Sequence, residues 1–213
     1  MVLLSVGMIW QFVLCMIIVR KEEGDLRWAT IKRRLRLNTP QDPTTGKARR
    51  RLWLWVIPVM IASAVWGVAM VPIVQKLWVS IFPFLAEPPG FNSALVFESQ
   101  AILQRLEGAW WFLGLIVFSS VFNVLGEEFL FRGVLLPKME GVFGKWSWVA
   151  NGVLSAFYHL HQPWTIAANV LQGAFVLAFP RWRFRSTWMS VIVHSVENVF
   201  IAFLILGIIL GLA

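Results

Sequence analysis

Gly126-Glu127-Glu128-Phe129-Leu130-Phe131-Arg132 sets two adjacent carboxylates and a guanidinium inside an almost unbroken apolar run, 110–137. A charge at the centre of a hydrocarbon layer costs about 2.5–3.5 kcal/mol on insertion scales. Such residues persist where a polar cavity, a partner or a function holds them. The run around them is one of five that are long enough, or nearly so, to span a bilayer core of ~20 residues per helix. The others are 1–19, 52–77, 146–160 and 186–212; a sixth, 164–179, is short and lies between Pro163 and Pro180. The expected fold is therefore all-α: a polytopic membrane helix bundle with about six transmembrane segments and one membrane domain overall.

Composition agrees. The chain has 213 residues, 58% of them hydrophobic and only 14% charged, with mean hydropathy +0.70, which excludes an ordinary soluble domain and a disordered one. Thirteen Trp and ten Pro suit interfacial anchors and broken membrane helices. The single Cys15 excludes an intrachain disulfide, and Val13-Leu14 before it makes a poor lipoprotein site. The first run lacks a basic leader and a small-residue cleavage site, so it reads as a retained span.

The net charge of +8 sets topology rather than marking a nucleic-acid binder. Under the six-segment layout, 17 of the 19 basic residues fall on one side, in 20–51, around Arg132, Lys138 and Lys145, and at Arg181, Arg183 and Arg185. Lys76 and Arg105 are the exceptions. The positive-inside rule makes that side cytoplasmic, with both termini and the loop 82–107 outside. Pro88-Pro89-Gly90 marks a turn in that loop. Leu26, Trp28, Ile31 and Leu35 recur at near-helical spacing among Lys32, Arg33, Arg34 and Arg36, as in a short helix lying on anionic headgroups, or as a plain topology determinant. Residues 38–46, with Pro40 and Pro43, read as a flexible link. The division is an N-terminal part, 1–109, with the basic loop and the outer loop, and a second part, 110–213, that carries the chemistry.

Glu128 and Arg132 are four apart, on one helical face and in the favoured order for an ion pair. Glu127 is turned about 100° away, with Asn123 one turn before it. A carboxylate without its own cation suits a general base. All three histidines lie in or beside apolar runs: His159 and His161 in Phe157-Tyr158-His159-Leu160-His161-Gln162-Pro163, and His194 in Val193-His194-Ser195-Val196-Glu197-Asn198. His194 and Asn198 share a face. Isolated buried polar groups are costly and shared ones are not, so Glu127, His159 and His194 are expected to line one cavity. Glu197 is an extra acid without an assigned role.

Two chemistries fit. In one, Glu127 activates a water, His159 assists, and His194 with Asn198 steadies the oxyanion of a tetrahedral intermediate. In the other, Glu127, His159 and His194 bind Zn²⁺, which activates the water. The zincin motif, a Gly-x-Ser-x-Gly elbow and a phosphate-cradling loop are all missing from the sequence.

Glu127-Glu128-x-x-x-Arg132, a helix with His159, and His194-x-x-x-Asn198 together resemble the CPBP family, the type II CAAX prenyl endopeptidases with their bacteriocin-processing and abortive-infection relatives. The resemblance covers a little under half the chain. It implies an all-α intramembrane protease fold, with Glu127 as catalytic base, Glu128 and Arg132 in supporting positions, and His159, His194 and Asn198 from the second and third motifs. The family's Phe-x-x-x-His pattern is met literally by Phe157 and His161, whereas Ser155 precedes His159. The continuation His-Leu-x-x-Pro matches 159–163, and His159 is preferred. The implied protein is an intramembrane endopeptidase of the cell membrane. It would need no cofactor in the water scheme, with zinc as the alternative. Its partners would be peptide or protein substrates, prenylated or not, and the lipid bilayer, with no nucleic acid. The rival readings are a binding or immunity protein of the same fold without turnover, and a proton-coupled transporter.

Overall fold

The computed structural model describes residues 2–89 and 99–212, with side chains from residue 5 onward. It is an all-α membrane bundle. Among the described residues the only β pairing is an isolated antiparallel bridge between Gln41 and Ala48. Among the described residues, eight helical stretches of seven residues or more follow in order: α1 (Val2–Glu23), α2 (Trp28–Arg34), α3 (Arg50–Ile81), α4 (Gln100–Leu106), α5 (110–143), α6 (Ser147–Phe157), α7 (166–184) and α8 (Thr187–Ile209). Helices dominate because lipid offers no hydrogen bonds, so each segment must satisfy its own backbone. Among the described residues, three stretches are long and apolar enough to cross a membrane: Arg50–Ile81, Trp110–Phe157, which spans α5 and α6, and Thr187–Ile209. Of the loop 82–107, residues 90–98, including Gly90 of the turn signal, lie outside the described residues.

Several sequence expectations change in detail. α5 is not α-helical throughout: Glu128–Leu135 is π-helical, and so are Gln172–Ala178 of α7 and Trp66–Met70 of α3. π turns in otherwise α-helical segments concentrate at functional sites. The expected span 146–160 holds only 11 residues of α-helix, Ser147–Phe157. At ~1.5 Å per residue it rises about 16 Å, roughly half a hydrocarbon core. Its end therefore stops partway, at a depth that Glu127 can share. The link 38–46, expected to be flexible, is pinned instead. Gln41 donates its N–H to the Phe184 carbonyl at 2.8 Å, and Ser186 Oγ donates to the Asn38 carbonyl at 2.5 Å. Two prolines and the Asp42 carboxylate, which accepts the N–H groups of Thr44 and Thr45, stiffen that segment.

The helices pack where small residues let backbones meet. A Cβ at Gly152 of α6 would stand 2.5 Å from the Ala174 backbone nitrogen of α7, and one at Gly126 of α5 would stand 2.9 Å from the Met8 carbonyl of α1. This is how membrane helices associate when lipid supplies no hydrophobic drive between them. One apolar cluster joins α1, α5 and α8 through Cys15, Val19, Val124, Phe129, Val134 and Val191, and takes in Leu35 and Leu37 just after α2. A second joins α3, α7 and α8 through Val56, Val176, Leu177, Met189 and Val193. One end of the bundle is basic. There Arg34 reaches Glu22 at 2.6 Å, Lys138 pairs with the same carboxylate, and Arg181 reaches Glu140 at 2.7 Å.

Candidate active site

The polar residues flagged in the sequence meet between α5, α6, α7 and α8. A cavity of about 180 Å³ is lined by Glu127, Arg132, Ser155, His159, Asn169, Gln172, Gly173, Leu177, His194 and Glu197. Glu127, at the junction of α-helix and π-helix in α5, is buried, and its Oε1 lies 3.9 Å from His159 Nε2. His159 follows the end of α6, and its Nδ1–H donates to the Ser155 carbonyl at 3.0 Å. That bond leaves Nε2 free to face Glu127.

Glu128 points the other way. It has no exposed surface and lies behind the cavity wall, where its Oε1 accepts from His194 Nδ1 at 2.9 Å. Its Oε2 lies 3.5 Å from Arg132 Nε, the pairing expected from the four-residue spacing. Arg132, also without exposed surface, donates from Nη2 to the Gly173 carbonyl at 3.3 Å and to Ser155 Oγ at 3.4 Å. Its Nη1 is buried and has no hydrogen-bond partner among the described residues. Asn151 of α6 donates to the Phe131 carbonyl at 2.9 Å and fastens that helix to the π-helical part of α5.

Asn198 departs from expectation. It shares α8 with His194, but its Nδ2 donates back to the His194 carbonyl at 3.1 Å and its Oδ1 faces Asn123 Nδ2 at 3.5 Å. It lines a separate, mainly apolar cavity between α5 and α8, with Val121, Val124 and Val199. The amide closes its own helix turn, so it does not reach the polar cavity beside Glu127. His161 is exposed and outside the cavity, its ring centroid 5.9 Å from that of His159. His159, not His161, faces Glu127.

Other residues of the site went unread in the sequence. Ser155, noted only as a departure from a pattern, holds both Arg132 and His159. Glu197 accepts from Gln172 Nε2 at 3.0 and 3.2 Å and from Ser63 Oγ, joining α8 to α7 and α3. Gln172 carried a readable signal: with Asn169 it puts amides inside an apolar run, the same kind of anomaly that singled out Glu127. Among the described residues, neither Glu127 nor Glu197 has a lysine or arginine within ion-pair distance. Nor do any three His, Cys, Asp or Glu side chains among them converge as metal ligands would.

Residues 109–200 match the model of one family, described as type II CAAX prenyl endopeptidase Rce1-like. The matched stretch is a little under half of the chain and contains every residue named from α5 to α8 up to Asn198. No curated protein and no solved structure matches the chain. Over residues 109–200 the chain is thus similar to the Rce1-like, CAAX-type intramembrane protease family.

Proposed function

We propose that this protein is an intramembrane endopeptidase that hydrolyses peptide bonds with a water held between Glu127 and His159. The reading is carried by the facing pair at 3.9 Å. With Nδ1–H committed to the Ser155 carbonyl, a neutral His159 turns a lone pair toward the Glu127 carboxylate. Two acceptors at that separation call for a shared donor, and a water donating to both satisfies them. Glu127 takes a proton as the water attacks a peptide carbonyl while His159 orients the water, and Glu127 then returns that proton to the leaving amine as the C–N bond breaks. His194 has Nδ1–H tied to Glu128, so only its Nε2 can act on a substrate. As imidazolium, with Glu128 balancing its charge, it donates to the oxyanion. Arg132 keeps the buried Glu128 carboxylate paired. Asn198 acts at one remove, by holding the α8 turn that carries His194. The substrates are membrane-associated or prenylated, CAAX-like peptides and proteins, and the enzyme sits in the cell membrane with its basic end toward the cytoplasm.

Glu127→Gln tests this. It keeps size and hydrogen bonding but removes the base, so turnover is expected to fall ~10²–10⁴-fold with folding and peptide binding retained. Turnover is read by mass spectrometry, comparing the peptides of membranes that carry wild type or the variant. Cleavage at the wild-type rate in Glu127→Gln overturns the mechanism. Peptide binding without turnover in wild type as well overturns the enzymatic reading.

A further inference from the structure

The basic end of the bundle holds a second constellation that hydrolysis does not use. Glu140, near the end of α5, accepts from Arg181 Nη1 at 2.7 Å and pairs with Arg36 Nη1 at 3.3 Å. Two guanidiniums share one carboxylate, and Arg183 and Arg185 follow directly. Four guanidiniums and one carboxylate leave this locus strongly cationic. Arg181 has no exposed surface, and among the described residues its Nε and Nη2 have no acceptor. The nearest acid in the adjoining loop, Asp42, is occupied elsewhere by two backbone N–H groups and by Arg49 at 3.6 Å. A cavity of about 180 Å³ opens here, lined by Pro43, Glu140, Trp182, Arg183 and Arg185.

The backbone is strained at this place. Among the described residues, Arg36 (φ 52°) and Arg185 (φ 50°) are the only non-glycines with positive φ. Such conformations persist where surrounding structure over-determines them. Here the Thr187 N–H donates to the Arg36 carbonyl at 3.0 Å, and Asn38 Nδ2 donates to the Arg185 carbonyl at 3.2 Å. The fold thus holds two arginines in left-handed backbone conformations, Arg36 paired with Glu140 and Arg185 lining the cleft.

We propose that this cleft binds the phosphate of an anionic phospholipid headgroup. Phosphate would offer acceptor oxygens to Arg183 and Arg185, the two arginines that line the cleft, in a geometry guanidinium matches bidentately. A lipid is favoured over free phosphate because the cleft sits where α7 ends and α8 begins, beside lipid-type surface. Trp55, 53% exposed, stacks near Phe184 with ring centroids 5.8 Å apart, and Phe179 is also exposed. An acyl chain has an apolar track beside the cationic cleft, and juxtamembrane arginines are drawn to an anionic leaflet.

The test uses the full chain, purified and delipidated in detergent, with phosphatidylglycerol, phosphatidylcholine or inorganic phosphate added. Retention is read by native mass spectrometry and stabilisation by the thermal midpoint. Wild type should retain phosphatidylglycerol and be stabilised by it, with phosphatidylcholine about tenfold weaker or worse. Arg183→Gln with Arg185→Gln should lower that retention about tenfold or more. Both side chains are exposed, so the lipid-free midpoint should hold. The charge-matched control, Arg20→Gln with Lys21→Gln, should keep wild-type retention. Equal retention in the Arg183/Arg185 variant overturns the site. An equal loss in the control reduces the effect to diffuse attraction and overturns it too. Stabilisation by inorganic phosphate without lipid retention overturns the lipid assignment.

Discussion

The two longest apolar stretches of the chain are held in opposite ways. The most apolar window of α3, at mean hydropathy 2.1, is only 11% buried by the rest of the protein. That of 110–157, at 1.5, is 39% buried. The more apolar helix is thus the more peripheral one. In lipid this is natural, because apolar side chains gain nothing by leaving hydrocarbon for protein. What draws 110–157 inward is its glycines and its charges: Gly126 and Gly152 at close backbone approaches, and Glu127, Glu128 and Arg132 in a shared polar network. α3 presents residues such as Val68, 83% exposed, to the surroundings. Its polar attachments are few: Ser63 Oγ to Glu197, and Trp78 Nε1 to the Pro163 carbonyl at 3.0 Å.

The contrast can be broken or sharpened by substitution. The largest effect is expected from Arg132→Ala, which strands the buried Glu128 carboxylate. Breaking such a pair costs about 3–5 kcal/mol, so the yield of folded protein and the thermal midpoint in detergent should both drop. An unchanged midpoint would show that the network does not hold the packed region. Gly152→Ala comes next. Its Cβ would meet backbone rather than a flexible side chain, and overpacking of this kind costs about 1–3 kcal/mol. The same variant should lose turnover, because Ser155 rides on α6 and His159 follows its end; full turnover at a lowered midpoint would separate packing from site geometry. Ser63→Ala should cost only about 0.6 kcal/mol, the mean for polar contacts between membrane helices. A midpoint loss as large as that of Gly152→Ala would show α3 to be far more integral than its burial implies.

The smallest effect lies at the basic end, outside the spans. The Lys138 ammonium and then the Arg34 guanidinium hold the Glu22 carboxyl below the usual carboxylate range. A depressed folded-state pKa stabilises above the unfolded value, and that gain is lost as pH falls through the folded one. Glu22→Gln should therefore lower the thermal midpoint slightly at neutral pH, by the ~0–1 kcal/mol of a partly exposed pair. It should then converge with wild type in acid. A difference that grows on acidification would contradict the pairing.

Much of this was legible in the sequence because membrane chains make polar residues conspicuous. Glu127, Glu128, Arg132, His159 and His194 stand out as anomalies against hydrocarbon, and the four-residue spacing of Glu128 and Arg132 foretells their contact. Asn198 misled, because sharing a helix face with His194 does not fix which way a short amide turns. Its amide found a nearer acceptor in its own helix. Ser155 and Glu197 were obscured for a different reason: their importance rests on Arg132, Gln172 and Ser63, partners brought in from other helices that no local pattern announces. The π-helical turns were not readable either, since they arise from how α5, α6 and α7 fit together.

The bond from His159 Nδ1–H to the Ser155 carbonyl also bears on how protons travel. An imidazole relays protons when one ring nitrogen receives while the other gives to a group able to pass the proton on. A helix carbonyl accepts a hydrogen bond but sends no proton further. A proton reaching His159 Nε2 from the cavity must therefore leave by the same nitrogen. For protons, this ring is a terminus where charge can be stored during one chemical cycle and returned.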